Sequence, residues 1–68
     1  SLLHEPFLRS DGVRGSLISY YAWAGDSKRL QFVVESLGAD VNQVDSEGRT
    51  ALYYALDKSS ELGGIVRR

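Results

Sequence analysis

The chain has 68 residues, no cysteine, one histidine and a formal net charge of −1. This balance argues against a nucleic-acid module, which carries a basic face, and the missing cysteines exclude disulfides and cysteine-ligated metal sites. No apolar run approaches the ~20 residues needed to cross a bilayer, and the opening SLLHEPF lacks the layout of a signal peptide.

A chain this short buries only about 60% of the surface its unfolded form exposes, so its core is marginal. It begins without a methionine, which points to a fragment or a processed chain. Residues 1–15 read as an irregular, partly packed arm. Leu2, Leu3, Phe7 and Leu8 are apolar, and Pro6 disfavours helix at Glu5. Ser10, Asp11 and Gly12 signal a turn, and Gly15 adds a second break.

The first helix is predicted from Ser16, an N-cap candidate, to Gly25, a stop. Leu17, Tyr20, Tyr21 and Ala24 fall at i, i+3, i+4 and i+7, the stripe of an amphipathic helix. Asp26 or Ser27 caps a second helix with the same spacing at Leu30, Val33, Val34 and Leu37. Gly38 suits the left-handed position that ends it. The two form an antiparallel pair, each too short to be stable without packing.

Asp45 to Gly48 reads as a tight turn, because Asp45 can bond its own backbone two residues on. Thr50 caps a third helix that carries Ala51, Leu52, Ala55 and Leu56. The stretch from 39 to 49 is too long for a helical hairpin and long enough for a projecting two-stranded finger. After Leu56, the serine pair at 59 and 60 and the glycine pair at 63 and 64 predict an extended, flexible connection. Ile65 to Arg68 then opens a fourth helix.

Gly38, Ala39, Asp40, Val41 and Asn42, followed by Asp45, Gly48, Thr50, Ala51, Leu52 and Ala55, resemble the ankyrin repeat. That family's unit is a turn and two helices in about 33 residues. The resemblance is strongest over residues 16–56. It implies an all-α fold, ankyrin-like helix-turn-helix repeats joined by a β-hairpin-like finger, in a truncated array of about one and a half units. Residues 1–15 would be an arm or a degenerate capping segment, 16–44 one repeat, and 45–68 a second, incomplete one. Ser16 to Ser19 and Tyr53 depart from the family's opening, Tyr21 stands where a small alanine is preferred, and Leu37 is one residue extra. Tyr20 and Tyr54 would occupy equivalent positions and stack in register between neighbouring units.

The family's implied role is protein–protein recognition. The matching positions are Val44, Ser46, Glu47 and Arg49 on the finger, with Trp23, Asp57 and Lys58 on helix ends. For Trp23, contact with a partner and partial burial under the N-terminal arm both stay open. The alternative role is a capping or regulatory segment that packs in cis against a neighbouring domain such as an enzyme. Self-association would be another way to cover missing repeat surface. A cytoplasmic or nuclear setting is expected, with the cytoplasm favoured.

No catalytic residue, cofactor site or metal site is expected. The only histidine, His4, lies in the arm, away from any rigid scaffold for a nucleophile. Turn chemistry accounts for Asp45 and solvation for Glu47. The Gly63–Gly64 pair lacks the lysine and spacing of a phosphate loop. Basic pairs occur at 28–29 and 67–68, too few and too separated for a phosphate stripe.

Overall fold

The computed structural model describes residues 3–58 and 60–67, and their side chains except those at 58, 60–62 and 67. In chain order it has strands β1 (Phe7–Leu8) and β2 (Arg14–Gly15), helices α1 (Leu17–Ala24) and α2 (Ser27–Gln31), a π-helical turn (Phe32–Ser36), and helices α3 (Ala51–Lys58) and α4 (Ser60–Arg67). β1 and β2 pair antiparallel, with Phe7 opposite Gly15 and Leu8 opposite Arg14. The all-α expectation is therefore corrected: the chain is a mixed α and β structure. The arm is a hairpin because its turn is built from local bonds. Arg9 N–H donates to Val13 at 2.9 Å, Gly12 N–H to Arg9 at 3.0 Å, and Val13 N–H to the Asp11 carboxylate at 3.1 Å.

Helix α1 starts after Ser16 and stops at Gly25, the expected bounds. Ser16 does not cap it with its side chain, however, and its hydroxyl is buried. The buried face is also rotated from the expected stripe. Ile18, Ser19 and Ala22 are buried, Leu17, Tyr20, Tyr21 and Trp23 are half-buried, and Ala24 is exposed. Periodicity fails here because α1 is apolar on nearly every side, so small Ala22 and hydrogen-bonded Ser19 decide which face goes inward. Tyr20 consequently packs against Phe7 with ring centroids 5.5 Å apart, and Tyr54 sits elsewhere, on the arm's arginine.

Asp26 caps α2 by accepting from Arg29 N–H at 3.1 Å. The helix then widens: Leu37 N–H reaches back five residues to Phe32 at 3.2 Å. Such a turn holds one residue more than an α-helical turn. Leu37 itself is exposed, not part of the buried stripe. Gly38 closes the segment at φ 70°, a left-handed conformation that glycine adopts without a Cβ clash.

The expected two-stranded finger is not formed as strands, and the finger is the turn at 44–50. A single antiparallel bridge joins Val44 to Thr50. Within it, Asp45 N–H donates to Arg49 at 3.0 Å and Gly48, at φ 76°, donates to Asp45 at 2.9 Å. The Asp45 carboxylate accepts from Glu47 N–H at 2.9 Å and Arg49 N–H at 3.0 Å, which fixes the turn.

Where an extended connection was expected, residues 57–58 end α3 and residues 60–64 belong to α4, which runs straight through both glycines; Ser59 lies outside the described residues. Two causes outweigh the glycines' low helix propensity. Ile65 and Val66 are buried in the core, so packing holds the helix. Gly63 is also buried where a Cβ would lie 2.8 Å from Leu56 Cδ2, so its bareness lets α4 approach α3. Helix α1 packs on α3, α3 on α4, and α4 on α2. Leu30, Ala22, Ala51 and Ala55 are fully buried at the centre. No described helix is long and apolar enough to cross a membrane.

Gly64 is different from Gly63, because it is exposed and a Cβ there would meet nothing within 4 Å. Its φ is not left-handed. Gly64→Ala is expected to stabilise the protein by about 0.5–1 kcal/mol through helix propensity. Urea unfolding would check this, and an unchanged or lowered midpoint would count against a helix at 60–67.

Candidate functional site

Two features of this fold are candidates for chemistry or recognition. The first is internal. Arg9 leaves the turn of the hairpin and buries its side chain completely, at 0% exposure. Its guanidinium carbon lies 4.9 Å from the Trp23 ring centroid and 4.8 Å from that of Tyr54. Around its edge, Nη1 donates to Ser19 Oγ at 3.2 Å and Nη2 to Tyr54 Oη at 3.0 Å. Nε and Nη2 also reach the two oxygens of Asp11, at 3.2 and 3.1 Å. Asp45 Oδ2 lies 3.5 Å from Nη2 and accepts the hydroxyl proton of Tyr54.

Four parts of the chain supply this group. The hairpin supplies Arg9, α1 supplies Ser19 and Trp23, α3 supplies Tyr54, and the finger supplies Asp45. The arrangement explains the charges. Burial works against the Arg9 cation, but hydrogen bonds to Tyr54 and Asp11 outweigh it and raise its pKa above the ordinary arginine value. Burial likewise pushes the Asp45 carboxyl up. The hydrogen bonds from Tyr54, Arg49 N–H and Glu47 N–H, with the Arg9 charge, more than offset this and leave it below the ordinary carboxylate range.

The hairpin and finger are also joined at the backbone. Ser46 N–H donates to Arg14 at 2.8 Å, and Arg14 N–H donates to Ser46 Oγ at 3.0 Å. At the other end of the arm, His4 Nε2 accepts from Asp40 N–H at 3.0 Å, and its carbonyl accepts from Gln43 Nε2 at 2.7 Å.

The second feature is an exposed face on the finger and α3. Val44 is 53% exposed, Tyr53 54% and Leu56 49%. Arg49 stacks its guanidinium 4.9 Å from the Tyr53 ring centroid. Of the residues singled out from sequence, Val44, Ser46, Glu47, Arg49 and Asp57 are exposed. Ser46 is nonetheless engaged internally, on Arg14. Trp23 is half-buried beneath Arg9, so one face of its ring is already used within the chain. The Lys58 side chain lies outside the described ones.

Sequence reasoning missed Arg9, Ser19 and Tyr54 as one group. No local pattern marks them, because Arg9 meets Ser19 and Tyr54 across 10 and 45 residues of chain. It also missed Tyr53 and Leu56, where a signal existed. Residues 51–56 are all apolar or aromatic, more than one helix face can bury. Among the described residues, no group of three or more histidines or carboxylates is placed to hold a metal ion. Comparison with protein-family models, with curated proteins and with solved structures finds no match to this chain.

Proposed function

We propose that this chain is a protein-recognition module related to the ankyrin repeat, and that the finger and the first turns of α3 are the surface it offers a protein partner or a neighbouring domain in cis. One observation carries this reading. Val44, Arg49, Tyr53 and Leu56 are all exposed, and the cation of Arg49 lies over the ring of Tyr53. An exposed tyrosine under an arginine is a costly way to face water and a frequent anchor in protein interfaces. Glu47 and Asp57, also exposed, would form a polar rim. The net charge of −1 supports a protein partner over a nucleic acid. The absence of cysteine is compatible with a cytoplasmic or nuclear setting.

The test is capture of partners by wild type and by Tyr53→Ala and Arg49→Glu, with helical circular dichroism as the folding control. Each substitution removes an exposed side chain, so the fold should survive. Truncating an interface anchor costs at least about 2 kcal/mol, or roughly 30-fold in affinity. Undiminished capture by both variants would remove this face from consideration.

A further inference from the structure

We propose that the enclosure made by Trp23, Tyr54, Ser19 and Asp45 is a guanidinium-binding site which Arg9 fills from within the chain, and that an arginine side chain of a peptide partner competes with Arg9 for it. This is independent of the exposed face on α3. The enclosure has the chemistry of a ligand site. Two aromatic faces lie 4.9 and 4.8 Å from the guanidinium carbon. Two hydroxyl oxygens accept at 3.2 and 3.0 Å, and a carboxylate lies 3.5 Å away. Flat stacking surfaces with acceptors around the rim suit a planar, five-donor fork better than a compact ammonium.

The host and the occupant are separable. The enclosing groups stand on α1, α3 and the finger, whereas Arg9 and its companion Asp11 stand together on the hairpin turn. When that turn lifts, all four enclosing groups stay behind. The hairpin has two residues in each strand, too few to be stable by themselves. Its tip, residues 10–12, is exposed, and Trp23 is only half-buried. What resists lifting is the contact of Phe7 with Tyr20 and the pairing of Arg14 with Ser46. The occupied state therefore dominates, and an outside arginine must bind against it.

Trp23 is the chain's one tryptophan, so its fluorescence reports on the enclosure directly. The experiment titrates methylguanidinium, kept far below denaturing concentrations, into the wild-type chain and Arg9→Ala. A saturable response is expected in Arg9→Ala, with a midpoint more than about tenfold lower than in wild type, because the competitor is gone. Methylammonium should be weaker by a similar factor, and adding Asp45→Asn should abolish the response. Should Arg9→Ala lose its helical signal, recovery of that signal by methylguanidinium replaces fluorescence as the readout. A short arginine peptide should reproduce the response and its citrulline counterpart should not. Equal midpoints in wild type and variant, equal response to the two cations, or indifference to the arginine peptide would each overturn the proposal.

Discussion

Asp45→Ala is expected to cost about 3–5 kcal/mol, the range for removing one partner of a buried ion pair. For a chain of 68 residues, whose total stability at roughly 0.05–0.15 kcal/mol per residue is about 3–10 kcal/mol, that is enough to leave a large unfolded fraction. The loss has three sources. The Arg9 charge keeps Asp11 but loses its only fully buried counter-charge in the cluster. The Tyr54 hydroxyl loses its acceptor. The finger loses the carboxylate that accepts from Glu47 N–H and Arg49 N–H. Pairing Asp45→Leu with Arg9→Met should cost clearly less than the sum of the single changes, since no charge is then stranded. Urea unfolding of the four chains decides it, and strict additivity would show that the two residues do not act together.

The same residue sets an acid limit. Because the folded-state pKa of Asp45 lies below its ordinary 3.8, the folded state binds this proton less readily than the unfolded chain does. The stability it contributes is complete above that ordinary value and is lost as pH falls through the lower, folded-state one. Removing Asp45 should flatten this part of the stability curve.

Gly15→Ala is the second large expected effect, a loss of about 1–3 kcal/mol from overpacking. Gly15 does not use left-handed backbone, so the obstacle is space alone. A methyl group there would lie 2.8 Å from Ser19 Oγ, 3.1 Å from Ser19 Cβ and 3.2 Å from Asp45 Cβ. None of these can yield freely, since Ser19 Oγ accepts from Arg9 and Asp45 holds the finger. The identical change at position 64 is expected to have the opposite sign, so the pair separates crowding from helix propensity in one host. Equal midpoints for Gly15→Ala and wild type would mean that the hairpin can move away from α1 at little cost.

The parts of the fold legible in the sequence are those specified by bonds over a few residues. Asp26 bonding Arg29, the left-handed glycine at 38, and Asp45 bonding residue 47 are all of this kind. The parts that were not legible depend on distant partners. The inward face of α1 is chosen by Ser19 meeting Arg9, and periodicity cannot see that bond. Helix α4 persists through two glycines because Ile65 and Val66 are buried, a tertiary effect that overrides local propensity. For the candidate surface, Val44 and Arg49 were identifiable only through the resemblance to the ankyrin repeat, and the surplus apolarity of 51–56 was a signal for Tyr53 and Leu56 that went unread. Arg9 had no such marker, because an arginine beside a turn is ordinarily a solvated one.

The wide turn at Phe32–Ser36 bears on how this chain can vary. It holds one more residue of backbone than an α-helical turn, and after it Gly38 ends the segment and Ala39 enters the core. Removing that residue would let the coil close into an ordinary winding. Homologous sequences could therefore differ in length by one at this point and keep the layers on either side in place.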